Sequence, residues 1–212
     1  MPRCAPDFVR AYTRVATPPL IPEISLYLSR AEPVGLWEQA ERETGADLAP
    51  PFWAYPWAGG IALARYLLDN PELVRGRTVL DLASGSGLVA IAAALAGGTV
   101  TASDIDPMAV EVIGLNAAAN QVTITVAAGD LLGGTADAQV VLAGDACYER
   151  RMAHRLLGFL DRSGKAGARV LIGDPGRAYG PQGFTAVASY AVPAWPGLED
   201  AEVKQTTVWE PH

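Results

Sequence analysis

Val79-Leu80-Asp81-Leu82-Ala83-Ser84-Gly85-Ser86-Gly87 runs from an apolar strand, through an acid, into a tight glycine turn. A second apolar run, Thr99-Val100-Thr101-Ala102, ends in another acid, Asp104. A strand, a glycine turn, a helix and a second strand ending in Asp form the half-site of a ribose-bearing cofactor. The glycines let the backbone approach the ligand, and the acid takes the ribose hydroxyls.

Outward from this point the chain alternates. The patterning predicts strands at 78–82, 99–103, 122–127, 138–143 and 168–173, with helical runs at 87–96, 107–119 and 151–162 between most of them. Nearly continuous apolar strands alternating with helices indicate an α/β, doubly wound, mostly parallel sheet covered on both faces. Phe184–Val192 and Glu202–Trp209 are β-rich with only a short connection between them, so they should pair as a C-terminal antiparallel hairpin. Upstream, Gly59-Gly60 opens a helix with Ile61, Leu63, Ala64, Leu67 and Leu68 at helical spacing, ending at Asp69-Asn70-Pro71. Pro50 to Trp57 is too rich in proline for a helix and too aromatic for an idle linker. Residues 1–50 read as a helical N-terminal extension broken at Pro18-Pro19 and Pro22, and residues 51–212 as the cofactor-binding domain.

Composition narrows the function classes. The 212 residues suffice for one well-buried domain, and half are apolar with no run of the roughly 18 needed to span a bilayer. Pro2, Pro6 and Asp7 spoil a targeting helix, so a cytoplasmic protein away from membranes is expected. Cys4 and Cys147 are far apart and belong to no metal-spacing motif, which suits a reducing compartment. The net charge of −7 argues against a nucleic-acid surface and is compatible with small molecules or a basic patch on another protein. A monomer is the expected state.

Gly85-Ser86-Gly87-Leu88-Val89-Ala90 fits the dinucleotide fingerprint, so a nicotinamide-dependent reductase is one reading. Against it, Asp81 at the strand end gives D-x-A-x-G-x-G, and a pyrophosphate has no use for that carboxylate. The ammonium of a methionine moiety does. The strand also lies behind a long aromatic segment, and no separate substrate domain follows the sheet. S-adenosylmethionine fits the layout better, with its ammonium near Asp81, its ribose at Asp104 and its adenine beside Asp130. Ala83, Ser84 and Leu131 complete the loop positions around it.

This pattern resembles the class I, seven-stranded S-adenosylmethionine-dependent methyltransferases. Within them it is similar to the branch of protein-lysine methyltransferases that includes the electron transfer flavoprotein β-subunit lysine methyltransferase. The likeness spans residues 20 to 160. Its narrower parts are Pro51 to Gly60 leading into Leu63–Pro71, Asp104-Ile105-Asp106-Pro107, and Gly144-Asp145-Ala146-Cys147-Tyr148-Glu149. Cys147 stands where the branch usually has an aromatic residue. The resemblance implies a reversed seventh strand and methyl transfer to lysine side chains of a protein, the β-subunit of electron transfer flavoprotein.

The segment after Gln139–Ala143 falls where ligands gather in a parallel sheet, beyond the carboxyl ends of the strands. Asp145 is then placed to meet an acceptor amine and Tyr148 to wall it, while Gly144 lets the backbone touch the cofactor. Asp145 also suits the N-cap of the next helix, and Glu149, the third candidate acid, suits the first helical turn through the macrodipole. Cys147 as a nucleophile is disfavoured, because methyl transfer needs no covalent intermediate. Trp57 is expected to cover the cofactor, and Trp53, Trp37, Trp195 and Trp209 to sit in the core. Asn116 and Asn120 are expected to finish their helix, Asn120 in the left-handed position. His154 and His212 carry no partner pattern. A small-molecule N-methyltransferase, acting on a pyridine or other amine, needs the same acidic, aromatic-walled pocket and stays open beside the lysine reading.

Overall fold

The computed structural model describes residues 5–29, 31, 33–45, 48–195, 198 and 202–211; Pro2, Cys4 and His212 lie outside them. The sheet has seven strands in the order β5-β4-β3-β6-β7-β9-β8. The parallel strands are β3 (Thr78–Leu82), β4 (Thr99–Asp104), β5 (Thr125–Ala128), β6 (Val140–Gly144) and β7 (Arg169–Asp174). The tail forms the expected hairpin of β8 (Thr185–Pro193) and β9 (Val203–Glu210). β9 runs antiparallel to β7 and inserts between β7 and β8, so it is the one reversed strand.

Period-two alternation distributes the core over both faces. Val140 and Leu142 of β6 point into the larger cluster, Val141 and Ala143 into the smaller. The larger face is covered by α3 (Ala58–Asp69), α4 (Leu88–Leu95) and α5 (Pro107–Ala119). The smaller is covered by α6 (Arg150–Lys165), which buries Leu156, Phe159 and Leu160.

The N-terminal extension is less uniformly helical than its sequence suggests. α1 (Ala5–Tyr12) and α2 (Pro33–Thr44) flank a two-stranded antiparallel sheet of β1 (Arg14–Ala16) and β2 (Leu26–Leu28). Pro18, Pro19 and Pro22 fall in the connection between these strands, where missing N–H groups cost no ladder bond. Phe8, Ile21, Ile24, Leu26 and Leu28 are buried in the same cluster as α3 and α4, so the segment completes the main core.

Two asparagines at the end of α5, Asn116 buried and Asn120 half-buried, fasten it there. Asn116 accepts from Tyr27 N at 2.8 Å and donates through Nδ2 to Ser86 O at 2.7 Å. Asn120 accepts from Ser25 N and donates to Ser25 O and Asn116 O. Asn116 therefore ties β2 to the glycine loop, and Asn120 holds the residue before β2 to the end of α5. Asn120 is the C-cap at φ −99°, and the left-handed residue is Gln121 at φ 55°. Of the tryptophans assigned to the core, Trp53 and Trp195 are buried, while Trp37 and Trp209 are only half-buried.

α3 approaches the sheet more closely than side chains allow. A Cβ on Gly144 would sit 2.8 Å from Gly60 Cα, and one on Gly59 would sit 2.6 Å from Asp145 N. Glycine at these positions lets the start of α3 rest on the carboxyl ends of β6 and β7, fixing one wall of the site.

Candidate active site

A cavity of about 450 Å³ opens beyond the carboxyl ends of β3, β4 and β6. It is lined by Asp81, Ala83, Ser84, Gly85, Asp104, Gly144, Asp145, Tyr148, Glu149 and Trp57, all candidates from the sequence. Gly87, in the left-handed N-cap position of α4, shapes the turn beneath without lining the cavity. Asp130 and Leu131 depart from expectation. Asp130 is turned away to Arg155 at 2.6 Å and caps Leu132 N, and neither residue is among the lining.

At the donor end, Asp81 is almost fully buried. One carboxylate oxygen accepts from Ser84 Oγ and from Ala90 N; the other, Oδ1, is buried without a hydrogen-bond partner. Burial pushes the carboxyl up to about 7, against the hydrogen bonds from Ser84 and Ala90. Ala83 adopts a left-handed backbone at φ 49°, an uncommon conformation for alanine that brings the turn back over the strand end. Asp104 holds the loop from the far side, accepting from Gly85 N at 2.9 Å and Asp106 N at 3.0 Å. Asp106 caps α5 through Met108 N, and burial raises its carboxyl.

These groups fit S-adenosylmethionine. The unpartnered oxygen of Asp81 supplies the acceptor that an ammonium needs, and Gly85, at φ 54°, presents backbone without a side chain. A pyrophosphate here would face the carboxylates of Asp81 and Asp104, which sets aside the nicotinamide reading.

At the acceptor end, Asp145 is buried with a left-handed backbone at φ 56°. Its carboxylate does not cap the following helix. Oδ2 accepts from Gly59 N at 2.9 Å, serving the first turn of α3, and Oδ1 accepts from Arg177 Nε at 2.7 Å. The cap of α6 is Glu149, whose two oxygens accept from Arg151 N and Met152 N at 2.8 Å each. Those bonds hold the Glu149 carboxyl below the usual range and occupy it structurally. Cys147 is buried, with its thiol pushed up to about 12 by burial, so it is no nucleophile.

An aromatic rim closes the mouth. Phe52 packs on Trp57 at 5.7 Å and on Tyr148 at 5.2 Å between ring centroids. Trp57 Nε1 donates to Phe52 O at 2.8 Å, and Trp53 lines the deeper wall as well as the core. Partial burial, with nearby carboxylates, raises the Tyr148 hydroxyl above its ordinary value.

Arg177 is the residue sequence reading missed. It stands in the loop after β7, its guanidinium carbon 5.8 Å from the centre of the Trp57 ring. Asp174 shapes that loop by accepting from Gly176 N and Arg177 N. Asp174-Pro175-Gly176-Arg177 directly follows a parallel strand, the one signal by which it was findable.

Residues 63–144 match the family model described as ribosomal protein L11 methyltransferase. The chain is 41% identical over 182 residues to the electron transfer flavoprotein beta subunit lysine methyltransferase of Xenopus laevis, covering 82% of this chain and 72% of that one. The rat protein of the same name is 38% identical over 208 residues, covering 91% and 78%. Magnesium protoporphyrin IX methyltransferase from Synechocystis, with S-adenosylmethionine bound, shares the fold at a TM-score of 0.53 and 18% identity, over 71% of this chain and 76% of that one. At roughly two residues in five, shared along most of both chains, the chain belongs to the electron transfer flavoprotein beta subunit lysine methyltransferase family.

Proposed function

We propose that the enzyme transfers methyl groups from S-adenosylmethionine to lysine side chains of a protein, with the β-subunit of electron transfer flavoprotein, for which its relatives are named, as the substrate. One observation carries the reading. A single cavity has the unpartnered Asp81 oxygen at its donor end and an aromatic-walled carboxylate, Asp145, at the other.

Bound S-adenosylmethionine supplies a methyl group made electrophilic by its sulfonium. In this reading Asp81 takes the cofactor's ammonium and Asp104 its ribose. Trp57, Ala83, Ser84, Gly85 and Gly144 wall it, and Gly87 holds the turn.

The chain's remaining work is on the acceptor. A free lysine has a pKa of about 10.4 and must lose its proton to attack. Asp145 draws the ammonium in and passes its proton to water. Phe52, Trp57 and Tyr148 exclude solvent and disfavour the charged amine. Arg177 holds the Asp145 carboxylate in place until a second cation competes for it. Asp145 and Tyr148 are the catalytic pair; Glu149 serves as the cap of α6.

The reading places the enzyme in the cytoplasm as a monomer, without nucleic acid, residues 1–50 being an extension of the methyltransferase domain 51–212. The acidic balance of the chain argues against a nucleic-acid surface, and among the described residues no helix is long and apolar enough to cross a membrane.

Incubation with labelled S-adenosylmethionine and either the recombinant flavoprotein subunit or a cell extract tests it. Label in a protein, mapped to lysine, is the expected result. Label confined to the small-molecule fraction would replace the lysine acceptor with a free amine or pyridine.

A further inference from the structure

Asp174 ends β7 beside the acceptor-side acid. Gly144 and Gly173 are register partners, and Asp145 N donates to Gly173 O at 2.8 Å, so the two acids leave neighbouring strand ends together. Asp145 and Arg177 line the cavity, whereas Asp174 does not and is only 3% exposed.

One oxygen of Asp174 builds the turn. Oδ1 accepts from Gly176 N at 2.7 Å and from Arg177 N at 2.8 Å. Asparagine would serve such a turn equally, so the turn does not account for a charge. The other oxygen, Oδ2, is buried without a hydrogen-bond partner, an arrangement that costs stability. Burial raises the Asp174 carboxyl against the two backbone bonds; the charge of Asp145 raises it further, and that of Arg177 lowers it. Arg177 therefore stands in the field of both acids, with its Nε on Asp145.

Acceptor binding disturbs that arrangement. An ammonium reaches Asp145 Oδ1 by taking the place of the guanidinium. Arg177, with 22% of its side chain exposed, then needs another anion, because a partly buried cation without one is costly. Asp174 already holds the backbone of Arg177 and has an oxygen to offer.

We propose that Asp174 is a positioning residue that receives the Arg177 guanidinium on Oδ2 while the substrate's ammonium occupies Asp145. The inference rests on the protein-lysine reading above and deepens it. Arg177 holds Asp145 until the acceptor arrives, then moves one acid over; no bond is made or broken in the step. The acceptor class follows from the exchange. A cationic amine can displace the guanidinium from Asp145, whereas a neutral one has no charge with which to do so.

The test is steady-state methylation of the flavoprotein β-subunit by the parent enzyme, D174N, R177A and the double variant. The amide of D174N keeps the turn but removes the second anion, so Arg177 stays on Asp145 and competes with the lysine. The binding-competent fraction falls, and KM for the protein should rise about tenfold, with kcat at saturation and S-adenosylhomocysteine affinity near parental. In R177A no cation competes, so adding D174N should leave KM where R177A alone sets it. D174N should melt no lower than the parent, and Asp174→Ser, whose hydroxyl also accepts from the turn, repeats the comparison. A D174N enzyme with parental KM, or one that only copies the slowed turnover of R177A, overturns the exchange and leaves Asp174 a loop-former. A parent that labels no protein overturns the lysine reading and this inference with it.

Discussion

Arg177 Nε donates to Asp145 Oδ1 at 2.7 Å while the guanidinium lies over the Trp57 ring, so one cation touches both the acceptor-side acid and the aromatic wall. The other oxygen of Asp145 is held by Gly59 N–H at the start of α3. Asp145 thus joins three segments distant in sequence, and its charge and its shape can be tested separately.

Asp145→Asn keeps an oxygen for Gly59 N–H but removes the charge. Affinity for S-adenosylhomocysteine should stay near parental, and methyl transfer should fall by about 10² or more. Arg177→Ala should also slow transfer, and Arg177→Lys, which restores charge without the Nε geometry, should recover part of it. Parental turnover in Asp145→Asn would leave the residue a support for α3 and nothing more.

Asp81 predicts a pH dependence. Its carboxyl, raised by burial to about 7, must be ionised to meet an ammonium, so binding below that pH releases a proton. Affinity for S-adenosylhomocysteine should weaken about tenfold for each pH unit below 7. The stability of the ligand-free protein runs the opposite way. Its folded state keeps a proton that the unfolded state, with a value of 3.8, has lost. The associated stability is fully present below about pH 4 and is lost as pH rises through about 7. Calorimetric titrations and melting curves across that window should show both trends, and Asp81→Asn should flatten them.

Gly144→Ala would press a methyl group onto Gly60, 2.8 Å from its Cα. Overpacking of this kind costs about 1–3 kcal/mol, read as a lower denaturant midpoint. Gly133→Ala, with nothing within 4 Å, is the matched control and should be near neutral.

Asn116→Ala strips partners from Tyr27 N–H and Ser86 C=O. About 1–3 kcal/mol is expected for each buried group left unpaired. Urea unfolding measures the loss, and limited proteolysis should show earlier cleavage near β2. An unchanged urea midpoint would mean that solvent replaces the asparagine at no cost.

The parallel strands and the glycine loop were legible because apolar runs such as Val140–Ala143 state their burial locally. The hairpin was legible from its short connection. β1 and β2 were not, being three residues each, too short for any period to show. Asp130 misled because a strand-end acid in sequence says nothing about a helix partner, and Arg155 arrives from α6. Which of Asp145 and Glu149 caps α6 was open for a similar reason. Either residue type can cap a helix, and only the folded chain shows that Asp145 reaches back to α3 while Glu149 meets α6. Arg177 was invisible as a partner because no pattern links positions 32 residues apart.

The bare glycine contact between α3 and the ends of β6 and β7 leaves the acceptor wall no slack in its main chain. A new acceptor therefore cannot be accommodated by sliding that helix outward without unseating the acid that Gly59 holds. Change has to enter through Phe52, Ile105 and Tyr148, exposed side chains at the cavity that carry little of the core. Laboratory selection for altered acceptors should accumulate its substitutions at that rim and leave the glycines untouched.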